Sequence, residues 1–250
     1  MTDIPRDHPR YRSLMIREKL VEGFKRGVVV PQGLIAHGRG ECFDYLIGEE
    51  TIEPVFKSYE AAAALLLISK KPIIAVNGNA AALAYEDIGF FAERFKIPIE
   101  INLFHFSRER VKRIRELFDT FNVKIFDDYD IELPTVSSKR RLVTSEGIYS
   151  SDTVMVMIED GDMPIGLRRV GKKVIAVDLN PLSRTARDSN ITIVDNLVRV
   201  FPQLTNYMEK LSNYGRNVLT RILDDYDNGE VLREVLIYII ERLTSPEILD

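Results

Sequence analysis

The stretch Val174-Ile175-Ala176-Val177-Asp178-Leu179-Asn180-Pro181-Leu182-Ser183-Arg184-Thr185 decides the fold. Its first four residues are apolar and mostly β-branched, the composition of a strand buried on both faces, as in parallel sheets. A polar turn follows at once. Asp178, Asn180 and Ser183 offer carboxylate, amide and hydroxyl groups, and Pro181 restricts the turn backbone. Arg184 then opens a short helix, whose free N–H groups favour an anion. In open α/β sheets, ligands collect at such strand-to-helix turns. Asp178 and Ser183 also have the character of plain helix caps, so spacing alone leaves a nucleotide turn and a capping turn both open.

Similar apolar runs recur outward from this point, at Ile73–Val76, Ile97–Leu103 and Val154–Ile158, with shorter ones at Val123–Phe126 and Ile191–Val194. Helical stretches alternate with them, which predicts an α/β fold built on a doubly wound, mostly parallel sheet. Ser13 is placed to cap a helix running to about Lys25, followed by a short strand, Gly27–Val30. The Gly-rich passage Pro31 to Gly40 then reads as a loop, with a short helix around Phe43–Ile47. Residues 57–69 form a helix that is apolar almost all round, hence buried. Residues 127–152 are the least regular part, read as a solvated loop or a substrate-covering segment. From Asp195 to Leu243 two or three helices follow. The last presents Val231, Leu232, Val235, Leu236, Ile239, Ile240 and Leu243 as a wide apolar face, for the sheet or for a second subunit. The 250 residues suit one α/β domain over 1–250, with an N-terminal helix and a helical C-terminal segment.

Composition excludes several functions. A net charge of −4 supplies no broad field for nucleic acid, although a few converging arginines can still hold a small anion. One cysteine, Cys42, excludes internal disulfides and Cys-cluster metal sites, and reads as a small apolar filler. The longest apolar run, Ala61–Ile68, is too short to span a membrane, and the polar N-terminus lacks a signal-peptide core. The expectation is a cytoplasmic protein.

Two further strand-end loops draw attention. Val76-Asn77-Gly78-Asn79 leads into a helix over Ala80–Phe95, and its residue types suit either a close backbone–ligand approach or a tight turn. Gly33 to Gly38 imitates the spacing of a P-loop, but Arg39-Gly40 stands where Lys-Ser/Thr is required, so an ordinary P-loop ATPase is rejected. His37 and Arg39 there can clamp a phosphate or carboxylate. Asp195 and Asn196, just past Ile191–Val194, can hold a ribose or cap a helix. Arg17 falls by spacing on the Leu14, Val21, Phe24 stripe, where burial demands a carboxylate or an anionic ligand. Glu159-Asp160-Gly161-Asp162 has two readings as well, a place for Mg²⁺ or the acidic decoration of a helix start.

Three of these loops sit in strings that resemble one family, the archaeal phosphopantothenate synthetases, or 4-phosphopantoate–β-alanine ligases. The strings include His8-Pro9-Arg10-Tyr11, Arg17 to Gly23, Val29 to Glu41, Phe43 to Glu49, Val76 to Asn79, Glu159 to Asp162, Gly171 to Ala186 and Ile191 to Asn196. The resemblance spans nearly the whole chain and is weakest over 120–150. It implies a homodimeric Rossmann-like enzyme of coenzyme A biosynthesis that uses ATP and Mg²⁺. Such an enzyme joins 4-phosphopantoate to β-alanine through an acyl adenylate, releasing AMP and pyrophosphate. It further implies an ATP site at Arg17, Arg39, Asp178, Leu179, Asn180, Arg184, Thr185, Asp195 and Asn196. Arg17, Arg39 and His37 are then the expected catalytic residues. Asn77, Asn79 and His37 are expected at the phosphate or pantoyl part, from their place on the other two strand-end loops. The rival readings are a non-enzymatic nucleotide-binding regulatory protein and a kinase that leaves ADP.

Overall fold

The computed structural model describes residues 4–245. In chain order the strands are β1 (Pro72–Val76), β2 (Ile99–Ile101), β3 (Ile125–Phe126), β4 (Ile131–Glu132), β5 (Leu142–Val143), β6 (Thr153–Met157), β7 (Lys173–Val177) and β8 (Ile191–Ile193). Six of them make one parallel sheet in the order β3-β2-β1-β6-β7-β8, while β4 and β5 pair antiparallel beside it. The expected doubly wound sheet is therefore present. Its order runs outward in one direction from β1 and in the other from β6, which is the Rossmann-like topology with its switch point between those two strands.

The helices are α1 (Tyr11–Lys25), α2 (Pro31–Leu46), α3 (Val55–Ile68), α4 (Gly78–Phe95), α5 (Arg108–Phe118), α6 (Asp162–Arg169), α7 (Arg184–Asp188), α8 (Leu197–Leu211), α9 (Arg216–Asp224) and α10 (Asn228–Thr244). Strand side chains alternate between two cores, as the pleat requires. Ile74, Val76, Met155, Met157, Ile175 and Val177 face the larger core, under α3, α4 and α8. Ile73, Ala75, Val154, Val156, Val174 and Ala176 face the smaller one, under α6 and residues 133–148. Among the described residues no helix is long and apolar enough to cross a membrane.

Several sequence expectations are corrected. Gly27–Val30 is not a strand, and the Gly-rich passage is not a loop but the first turns of α2. Pro31 occupies the first helical position, where its missing N–H costs nothing. Gly33 is there for closeness rather than flexibility, since a Cβ would come within 2.2 Å of Asn79 Oδ1. Ser13 does not cap α1, whose N-cap is Arg10, and its hydroxyl instead donates to the Arg10 carbonyl. The buried face of α1 is Ser13, Leu20 and Gly23, so Phe24 and Arg17 lie exposed. Residues 127–152 are not merely solvated, because Leu133, Val136, Val143 and Ile148 complete the smaller core. Cys42 is exposed rather than a buried filler. On α10, Val231, Leu232, Val235 and Ile239 are buried, whereas Ile237, Ile240 and Leu243 remain exposed.

Candidate functional site

At the switch point β1 and β6 run side by side, and their carboxyl ends open onto two adjoining cavities. The larger holds about 580 Å³ and the smaller about 180 Å³. Ala36, Arg39, Ile158 and Asp160 line both, so these residues form the threshold between them. Asn77 fixes this edge. Its Nδ2 donates across the switch point to the Met157 carbonyl at 2.6 Å, while its Oδ1 accepts from Ala80 N and caps α4. Ile158 takes a left-handed backbone, φ 52°, which a β-branched residue adopts only when its surroundings force it.

The turn after β7 makes one wall of the larger cavity, contributing Asp178, Leu179, Asn180, Ser183, Arg184 and Thr185. Its polar groups are largely spent on one another. Asp178 accepts from Asn180 N at 2.9 Å and from Ser183 Oγ at 2.5 Å, and Asn180 Oδ1 accepts from Leu182 N. Ser183 Oγ caps α7 by accepting from Ala186 N. Burial pushes the Asp178 carboxyl up, against those hydrogen bonds and the nearby Arg39. Thr185 Oγ1 donates to the Glu159 carbonyl, tying this turn to the end of β6. A Cβ at Gly161, where φ is 88°, would strike Arg184 Cβ at 2.6 Å, so only glycine lets the two turns meet.

Asp195 and Asn196 line the same cavity from the end of β8. The Asp195 carboxylate accepts from Thr51 and Tyr59 hydroxyls at 2.6 and 2.7 Å and from Arg199 Nε at 2.6 Å. Asn196 Oδ1 caps α8, and its Nδ2 donates to Asp44 of α2 at 2.7 Å. Asn196 thus ties α2 to the sheet edge directly, and Asp195 does so through Arg199, which also pairs with Asp44.

The opposite wall is α2, through Ala36, His37, Arg39, Gly40, Cys42 and Phe43. His37 is buried, its Nε2 meets no hydrogen-bond partner among the described residues, and burial lowers its pKa, against the pull of Glu41 and Asp44. Arg39 forms no ion pair with any carboxylate of the described residues and faces both cavities. Arg17 lines neither cavity. It is half-exposed and holds Glu41 at 2.9 Å, one helical turn from His37, so its companion on the fold is a carboxylate.

The smaller cavity is lined by Asn77, Asn79, His105, Arg39, Arg110 and Arg140, among others. Asn79 Nδ2 donates to the Gly33 carbonyl, joining α4 to α2. Arg110 is bound to the carbonyls of Val28 and His105, pairs with no carboxylate among the described residues, and has its pKa lowered by burial and by Arg140. Arg140, delivered by the turn before β5, is buried and pairs at 2.5 Å with Glu159, whose side chain is 1% exposed. Burial pushes Glu159 up to about 8, although Arg140 opposes the shift.

Sequence reading brought Arg39, His37, Asn77, Asn79 and the 178–196 residues to this edge. It missed Arg110 and Arg140. The available signal was the basic run Lys139-Arg140-Arg141 inside an otherwise irregular segment. Among the described residues no group of three His, Cys, Asp or Glu side chains is arranged to hold a metal.

Fold and site together define a Rossmann-like α/β protein with a two-part ligand cleft at the carboxyl edge of its sheet. Comparison with known proteins gives the particular family. A model of the phosphopantothenate/pantothenate synthetase family matches residues 55–242, and the chain belongs to that family. It is 46% identical over 254 residues to the 4-phosphopantoate–β-alanine ligase of Thermococcus onnurineus, covering 98% of this chain and 95% of the relative. Identity to the ligase of the same name from Thermococcus kodakarensis is 45%, with the same coverage. With that of Methanosarcina mazei it is 44%, over 98% of this chain and 97% of the relative.

Proposed function

We propose that the protein is an ATP-dependent ligase that joins 4-phosphopantoate to β-alanine, giving 4-phosphopantothenate, AMP and pyrophosphate, in coenzyme A biosynthesis. One observation carries this reading beyond the family: two cavities share a threshold at the switch point, one of nucleotide size and one rich in arginine. A sensor needs only the first. A ligase needs both ligands to meet.

ATP occupies the larger cavity along the Asp178–Thr185 turn, with its phosphates toward Arg39 and Arg184. The 4-phosphate enters the smaller cavity between Arg110 and Arg140, and Asn77, Asn79 and His37 keep the pantoyl part in place. The pantoate carboxylate then reaches the α-phosphorus over Ile158–Asp160. An oxygen–phosphorus bond forms, pyrophosphate departs, and the acyl adenylate is attacked by the β-alanine amine, expelling AMP. Neither step needs a nucleophilic side chain, and alignment with charge neutralisation suffices. Arg39, facing both cavities, neutralises both reacting anions; Arg17, which lines neither cavity, joins it at the phosphates only by exchanging Glu41 for them. Mg²⁺ would enter with ATP on the side of Arg39 and Arg184 and would supply further positive charge against the departing pyrophosphate. The enzyme works in the cytoplasm as a homodimer, and the exposed Ile237, Ile240 and Leu243 of α10 support a subunit contact.

The test is to incubate the protein with ATP, Mg²⁺, 4-phosphopantoate and β-alanine and to identify the nucleotide formed. AMP that appears only with both co-substrates supports the ligase. ADP, or no turnover, overturns it.

A further inference from the structure

The amide-forming step has a proton to dispose of. The β-alanine ammonium ionises near 10, like other alkylammonium groups, so at neutral pH only a trace is nucleophilic. A group beside the threshold that can take that proton would raise the rate of the step.

Glu159 stands there. Its neighbours in sequence, Ile158 and Asp160, line both cavities, and Glu159 itself lines the larger one. Its side chain is buried, and its two oxygens are treated differently. Oε1 holds Arg140 at 2.5 Å, with Asn77 Nδ2 at 3.5 Å, whereas Oε2 is buried with no hydrogen-bond partner among the described residues. A buried carboxylate oxygen left without a donor is costly unless something serves it. The residue that pairs with Oε1, Arg140, is itself part of the basic cavity, so this carboxylate links the two ligands' walls.

We infer that Glu159 is the proton acceptor for the incoming amine, taking one proton from β-alanine through Oε2 as the amide forms. The inference rests on the ligase reading above. The ammonium loses one proton to the Glu159 carboxylate, and the freed nitrogen pair forms the C–N bond. The acyl C–O bond breaks with its electrons going to the AMP phosphate oxygen, and the nitrogen's second surplus proton leaves to solvent. The groups around Glu159 suit a base that works near neutrality. Burial raises its proton affinity to about 8, Arg140 and Asn77 lower it, and Asp160 and Asp162 at the start of α6 raise it. Burial lowers His37, across the cavity on α2, making it the weaker acceptor.

The experiment separates the amine's proton from the rest of the reaction. Acyl adenylate is formed on the full-length enzyme from ATP, Mg²⁺ and 4-phosphopantoate. It is then challenged with β-alanine or with hydroxylamine, which is mostly unprotonated at neutral pH and needs no base. With Glu159→Gln, amide formation from β-alanine should fall about 10²-fold or more, while hydroxamate formation stays within roughly fivefold of wild type. The wild-type β-alanine rate should level off above about pH 8, and that of the variant should keep climbing toward the amine's own pKa near 10. Equal losses with both nucleophiles, or an undiminished β-alanine rate, overturn the inference. Glu159→Asp, which retains the acid and a counter-charge for Arg140, is the second variant should the first not fold. It must keep a levelling pH profile at a shifted position, and a profile that climbs without levelling counts against the inference. Failure of the wild type to form any adenylate would instead sink the ligase reading.

Discussion

The two walls of the cleft are built on opposite electrostatic plans. Along Asp178–Thr185 nearly every polar side chain is satisfied by its neighbours, so the turn is held in shape before any ligand arrives. Across the threshold, Arg39 and Arg110 pair with no carboxylate among the described residues, and Arg140 spends its charge on one buried glutamate. A satisfied turn recognises through shape and backbone. A wall of unpaired cations recognises through charge, and it is stable only because each arginine also bonds to carbonyls or stays partly hydrated.

Removing charge from the second wall should do the most damage. Arg140→Ala leaves Glu159 buried without its partner and should lower unfolding free energy by about 4 kcal/mol, read by denaturant titration. The double variant Arg140→Met, Glu159→Leu should recover most of that loss. Arg39→Ala removes the charge common to both cavities and should cut kcat/KM for ATP about 10²- to 10³-fold, with folding unchanged by circular dichroism. An effect on 4-phosphopantoate alone would confine Arg39 to one cavity and spoil the comparison.

A smaller effect concerns the segment that delivers Arg140. Buried Glu100 of β2 anchors it by accepting from Thr144 N, Thr144 Oγ1 and Ile148 N, and burial still pushes its carboxyl up to about 7. A raised carboxyl pKa stabilises the fold most below the unfolded value and loses that contribution as pH rises through 7. The stability of the wild type against melting should therefore fall between pH 5 and 7.5, by on the order of 2 kcal/mol from this group. Glu100→Gln should show a flatter profile, whatever its absolute stability. The smallest effect is expected on the pre-satisfied wall, where Ser183→Ala removes the α7 cap at a cost of about 1 kcal/mol.

The same contrast explains what could be read from sequence. The β7 strand and its turn were legible because their determinants are local: a β-branched run, a proline, and side chains that bond within five residues. The parallel sheet followed from repeating that pattern. Its strand order did not, and with it the switch point that makes two cavities adjoin. The passage at Gly33 looked like a loop because glycine weakens helices. Only its contact with Asn79, 46 residues away, explains why glycine sits in α2. Arg17 was assigned to an apolar stripe that the real packing face, Ser13–Leu20–Gly23, displaces. Arg140 and Glu159 each stand in a conspicuous charged run, but they pair across a segment with no periodicity, so nothing local announced the pairing.

The most direct measurement is exchange of labelled pyrophosphate into ATP. If carboxylate activation occurs across the shared threshold, exchange should require 4-phosphopantoate and Mg²⁺, proceed without β-alanine, and collapse in Arg39→Ala. Exchange independent of 4-phosphopantoate, or no exchange with ADP released from ATP instead, would contradict a ligase cleft formed by these two walls.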